Sequence, residues 1–509
     1  MNNIAKKILE IINSRGFYRF VIIFFVFEAA WIALTAAYPQ AFDEQFHFGL
    51  IQIYSHHLSP FLSKQPANAN QYGAVARDPS YLYHYLMSFP YRLISLVVKR
   101  QTYQIISLRF IDIAMFTLGL ALFRKILIKL KVSKGLANIA ILIFALIPIA
   151  PQLAGQINYD DMLFPLVAFT CLLCFRLIDE IKRLKPKFST ISILLIVAIL
   201  SSLVKYAFLP IFLAFVIFFV FYVFRHNRSN LPVIWHNFVS DFKRQSMVIK
   251  TVLIGLLIIS AGMFIQRDVV NVIKYHSVDP DCSSILSVDS CKAYSAWFAD
   301  YKRHNDVLSG KMLASHNIFF YGTEWIYWMW YRLFFAINGP TTGFTNYPPL
   351  PLPSGVALIV GLLGVVAVIR YWKEIFKSNA YAVLLLMACL FYAVALMIQG
   401  YSTYQYTAVL ENMNGRYLLP ILLLAGAIFA KAFALAFRKH DRLKIIVACL
   451  VVLLFLEGGG ILTFIARSDD SWYWQNTKAI KVNNVAQKIA KKVVVRGTKN
   501  YNTSIWFFN

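Results

Sequence analysis

The sequence predicts an all-α polytopic membrane protein of about eleven transmembrane helices, and three observations predict it. Hydrophobic residues make up 59% of the 509 and charged residues only 15%, with a mean hydropathy of +0.59. A soluble domain carries about 25% charge and about 45–50% apolar residues. Apolar runs near the roughly 20 residues that cross a bilayer recur along the chain. Lys and Arg clusters fall between those runs, all on one side when the runs are threaded alternately. This composition excludes a soluble enzyme, a disordered chain and a nucleic-acid-binding domain. The excess of 50 Lys+Arg over 24 Asp+Glu, a net +26, therefore reads first as topology and not as a sign of a polyanion partner. No nucleic-acid partner is expected.

The elements follow in order. Lys6, Lys7, Arg15 and Arg19 precede the first run, 20–39, and place the N-terminus inside. Thr35-Ala36-Ala37 imitates a signal-cleavage site, but the run is long, carries Glu28 and is followed by many more, so it reads as a retained span. Residues 40–104 are mixed in polarity and read as a large external loop with short surface helices. Further spans are expected at 105–123, 136–153, 162–178, 190–204, 207–224 and 247–265, with basic turns such as Arg124–Lys134 and Lys182–Lys187 inside. Residues 266–350 form an external region rich in Tyr, Trp, Asp and His. Spans at 356–371, 381–399, 417–437 and 445–465 follow within a C-terminal block, 351–466. Glu457-Gly458-Gly459-Gly460 interrupts the last of these. An external tail, 467–509, leaves the C-terminus outside, although Lys488, Lys491, Lys492, Arg496 and Lys499 make it basic against the charge rule.

Cysteines divide by environment. Cys171, Cys174, Cys389 and Cys449 lie in spans and read as small apolar residues. Cys282 and Cys291 lie in the external region, where an oxidising compartment favours a disulfide.

Candidate chemistry sits at the external ends of spans. Phe42-Asp43-Glu44-Gln45-Phe46-His47 follows the first span and sets two carboxylates at the membrane surface. On a helix Asp43 and His47 share a face, and Glu44 and His47 are three apart. The spacing fits a general base with an orienting partner, a divalent-metal site at Glu44 and His47, or a solvated helix start. Asn158-Tyr159-Asp160-Asp161, at the outer end of the third expected span, is a second acidic pair or a capped polar turn. Spans one and three end on the same face, so the two pairs can meet over one cleft. Arg109, Lys205 and Arg416 stand at outer span ends, where the charge rule does not ask for them. As a group facing the acids they suit a phosphate, while singly Arg109 can pair with Asp112 and Lys205 can snorkel. Glu28 and Glu457 are intramembrane acids, and His56, His57 and His84 are weaker ligand candidates. The aromatic stretch 325–330 suits an interfacial belt more than sugar stacking.

The order of these features resembles the GT-C superfamily of integral-membrane glycosyltransferases. The features are an external Asp-Glu-x-x-His, the surface segment Asp78-Pro79-Ser80-Tyr81-Leu82-Tyr83, Arg109, Asn158-Tyr159-Asp160, and a late Gly415-Arg416-Tyr417-Leu418-Leu419-Pro420. The likeness is to protein mannosyltransferase-like and aminoarabinose-transferase-like members, within an uncharacterised bacterial branch. It covers about the first 265 residues, as a seven-span module, plus the late Gly-Arg-Tyr motif. It implies a polyprenyl-phosphate sugar donor and an external glycan, lipid or protein acceptor, in a multi-pass plasma-membrane enzyme with an external site. It also implies catalytic acids at Asp43, with Glu44 beside it, and at Asp160 or Asp161. Arg109, Lys205 and Arg416 would bind the donor phosphate. A single displacement would invert the anomeric carbon. The competing readings are a lipid-linked glycan flippase, which normally shows repeats and broken midplane helices, and a ligase- or polymerase-like glycan transferase working through a late external loop.

Overall fold

The computed structural model describes residues 3–493 except 63, 335–350, 378, 412, 459–463, 466–467 and 469. Helices make up the regular structure of the described residues, and the one extended pairing is an isolated antiparallel bridge between Ala36 and Tyr473. Among the described residues, seven helices are long and apolar enough to cross a membrane: Arg15–Thr35, Gln101–Lys129, Tyr159–Lys182, Tyr206–Arg225, Met247–Tyr275, Ala380–Thr407 and Gly415–Ala436. Three shorter apolar helices, Lys134–Ala145, Phe188–Val204 and Gly355–Arg370, join them.

Local chemistry explains several boundaries. The Ser14 side chain caps the first span by accepting from Phe17 N at 3.0 Å, so the helix begins at Arg15, before the apolar run. Gln101–Lys129 extends past both ends of its apolar run, because polar residues continue a helix wherever neither Pro nor Gly stops it. The span expected at 136–153 is broken instead. Lys134–Ala145 ends before Pro148, and a short helix, Ile149–Ala154, resumes after a turn. Proline lacks the N–H and crowds the preceding turn, so an apolar run with Pro148 and Pro151 does not stay one helix. The expected surface helices of the first loop are Glu44–Ser55 and Leu82–Val97. The last expected span overlaps the helix Asp441–Gly458, but the side chain of Glu457 lies outside the described residues, as do 459–463.

The core is aromatic. Phe116, Phe144 and Phe164 stack with centroids 4.2–6.1 Å apart, and Phe25 joins Phe116 at 5.4 Å. This seals Arg15–Thr35, Gln101–Lys129, Lys134–Ala145 and Tyr159–Lys182 into one bundle. Leu209–Asn227 runs along Ala380–Thr407. Trp325 and Met329 pack with Tyr321, Tyr404 and Met413, so part of the aromatic stretch is core. Cys282 and Cys291 are bonded, with sulfurs 2.08 Å apart.

The C-terminal segment docks beside the C-terminal end of the helix Arg15–Thr35. Ala37 N donates to Trp472 O at 2.9 Å, and Trp474 N donates to Thr35 O at 3.1 Å. Phe464, Trp472 and Tyr473 bury themselves against Ile32 and Ala36. Residues beyond 493, at the end of the predicted tail, lie outside the described residues.

Candidate functional site

Residues 33–44 build the site from two layers. The lower layer is a buried clamp. Glu44 Oε1 accepts from Arg109 Nε at 2.8 Å and from Ile157 N at 3.1 Å, while Oε2 accepts from Arg109 Nη2 at 2.7 Å and Gln40 N at 2.7 Å. Arg109 also donates to the carbonyls of Ala33, Ala36 and Ala37 at 3.1, 2.8 and 3.4 Å. Both side chains have 0% exposure. The clamp joins the end of the first span, the middle of the segment before Tyr159, and the helix Gln101–Lys129. Asn158 adds a stitch by donating to Phe42 O at 2.9 Å and capping Asp160 N at 2.9 Å.

This layer gives two of the expected residues other partners than the sequence suggests. The guanidinium of Arg109, read as a phosphate ligand, is fully committed to Glu44 and to carbonyls. Its anticipated alternative, Asp112, accepts instead from Tyr83 Oη at 3.0 Å to each oxygen. Glu44 and His47 face different partners: four N–H groups occupy the oxygens of Glu44, and His47 Nδ1 faces His84 Nε2 at 2.9 Å. Among the described residues no group of three or more His, Cys, Asp or Glu is placed to hold a metal ion.

The upper layer is open. Phe42 and Asp43 both adopt positive φ, 65° and 68°, which turns the chain sharply before Glu44–Ser55. Asp43 Oδ2 accepts from Arg416 Nη2 at 2.7 Å, yet 59% of its side chain is exposed. Asp160 Oδ1 meets Lys205 Nζ at 2.6 Å, both nearly buried. Tyr417 joins the two pairs, with Lys205 Nζ 5.2 Å and Arg416 Cζ 5.0 Å from its ring, and Tyr159 lies 4.4 Å from Lys205. Arg416 Nε and Nη1 are buried with no protein acceptor. Gly415 is required here, because a Cβ would stand 2.2 Å from Leu333 N. Asp161, the other expected second acid, is fully buried, with the acids Asp112, Asp160 and Glu44 as its charged neighbours. The structure thus gathers Asp43, Asp160, Lys205 and Arg416, and separates from them Glu44, Arg109 and Asp161.

Above Asp43 opens a cleft of about 950 Å³. Asp43, His47, His84 and Tyr159 line its floor, and the disulfide-tied segment contributes Asp279, Asp281, Tyr294, Trp297 and Tyr301. His47 and His84 are buried and stacked. Burial lowers both imidazoles, His84 to about 3, so both are neutral near pH 7. Burial and neighbouring Asp78 raise Asp279 to about 7.

Tyr206 and Asp279 also line a second cavity of about 440 Å³. That cavity shares Leu209, Pro210 and Ala395 with a wholly hydrophobic groove of about 730 Å³ between Leu209–Asn227 and Ala380–Thr407. The three cavities therefore adjoin one another through shared walls, from the acidic cleft to an apolar surface between helices.

The sequence reading missed Tyr417, Tyr159, Asp279 and Trp297. The first two adjoin Arg416 and Asp160 in motifs already singled out, and that adjacency was the available signal. Nothing local marks Asp279 or Trp297, which tertiary packing brings across the cleft.

No family model and no curated protein matches the chain. Among solved structures it is similar to the oligosaccharyltransferase of Archaeoglobus fulgidus, crystallised tethered to an acceptor peptide containing an NVT sequon. The TM-score is 0.40 at 13% identity, covering 96% of this chain and 61% of that one. A likeness of this degree defines neither fold nor function for this chain.

Proposed function

We propose that the chain is a membrane glycosyltransferase that moves a sugar from a polyprenyl-phosphate donor to an acceptor hydroxyl at the external end of the bundle. The observation that carries the reading is the pairing of an exposed carboxylate, Asp43, with buried Arg416, next to the Lys205–Asp160 pair and to cavities that adjoin an apolar groove. A sugar hydroxyl is a weak nucleophile and needs a carboxylate to take its proton. Asp43 is the acid open to the cleft. The leaving phosphate needs fixed positive charge where its own charge grows, and Lys205 with the two unpartnered N–H groups of Arg416 offers it. The acceptor oxygen bonds to the anomeric carbon as the bond to phosphate oxygen breaks, the proton passes to Asp43, and the anomeric centre inverts. Moving Arg416 from Asp43 to the phosphate frees the base once the donor is bound. The polyprenyl chain would lie along the adjoining cavities past Tyr206 and in the groove at Leu213, Val216, Leu390 and Val394.

The test is transfer of radiolabelled sugar from polyprenyl-phosphate sugars by membranes bearing Asp43→Asn. Loss of transfer at normal abundance supports the proposal. Full activity overturns it.

A further inference from the structure

We infer that the C-terminal helix Thr477–Val493 is an interfacial helix that seats on anionic lipid headgroups, on the side of the bilayer where Asp43 lies. The helix has two faces. One docks on the protein: Asn483 and Ala490 are buried, and Gln487 Nε2 donates to Ser468 O at 2.7 Å. The other presents Val482, Val485 and Ile489, 50–60% exposed and spaced three and four residues apart. Lys478, Lys481 and Lys488 stand exposed beside that stripe, and none has an ion-pair partner among the described residues. The helix contains no Asp or Glu. An apolar stripe flanked by lysines is the pattern of helices that lie in the headgroup plane.

Its height fits. Trp474, three residues before the helix, bonds to Thr35 O at the end of the first span. Trp31, one turn inside that span, packs against the same cluster as Ala486 of the helix. The end of a membrane-crossing helix lies near the membrane–water boundary, so the stripe and the lysines, tied to that end, stand at headgroup level. This also accounts for a basic tail on the side where topology asks for none: these lysines answer lipid phosphates, each adding attraction to an anionic surface.

A nitroxide attached at Val485→Cys, a surface position with no core contact, tests the inference in the full chain reconstituted into nanodiscs. The signal is read against the unsubstituted chain treated alike. In phosphatidylglycerol nanodiscs, collisions with oxygen are expected to exceed those with an aqueous nickel chelate several-fold. Changing Lys478, Lys481 and Lys488 together to Gln, or using phosphatidylcholine alone, is expected to lose that preference. Chelate access in both lipids means a solvated face and overturns the inference. Shielding from both reagents means a protein partner or second copy, and overturns it equally. Val482→Cys repeats the measurement should the first label misfold the chain.

Discussion

Glu44 and Arg109 form a pair with no exposure on either side, while Asp43, one residue away, pairs with Arg416 and still leaves 59% of its side chain in the cleft. The two layers use the same chemistry for opposite ends. A buried pair whose every lone pair and N–H is filled can only hold parts together. A half-open pair with unfilled N–H groups can exchange its partner for a ligand. Saturation separates a pair that only holds parts together from one with room for a ligand, and sequence proximity does not.

Breaking the lower pair is expected to have the largest effect. Glu44→Gln or Arg109→Met strands a buried charge at a cost of about 3–5 kcal/mol. Membrane abundance and Tm should collapse, and the double variant should recover part of the loss. Asp43→Asn, by contrast, should leave abundance and Tm near normal while transfer falls about 10²–10⁴-fold. Equal loss of abundance in both variants would erase the distinction between layers. The Asp160–Lys205 pair stands between them. Lys205→Met alone should lower abundance, because Asp160 is left buried without its partner. Adding Asp160→Asn should restore abundance but not transfer, which stays about 10²–10³-fold down for want of the phosphate cation.

The smallest effect concerns the cleft wall. Asp279 is an exposed residue of the cleft wall with Asp78 among its charged neighbours, and its folded value, about 7, lies above its unfolded one. Stability from this group is therefore present below the ordinary carboxylate range and is lost as pH rises through about 7. Asp279→Asn should flatten that part of the Tm–pH curve, measured by thermal unfolding in detergent. An unchanged curve would show that the wall does not constrain this carboxyl.

Composition and periodicity determined much by themselves. A chain this apolar has to place its helices in lipid, and alternating basic turns order them. Apolar length does not report a proline break, so 136–153 read as one span although Pro148 divides it. Motifs marked where acids and cations stand, because a charge near a span end is costly unless used or paired. They did not say which pairs close. Asp43 and Glu44 look alike in the chain, as do Asp160 and Asp161, and Arg109 looks as free as Arg416. Tertiary structure decided these matters through burial and partner count, which depend on residues 45 to 373 positions away in the chain. The left-handed turn at Phe42 and Asp43 is the deciding local event: it points one carboxylate into the cleft and the next into the bundle.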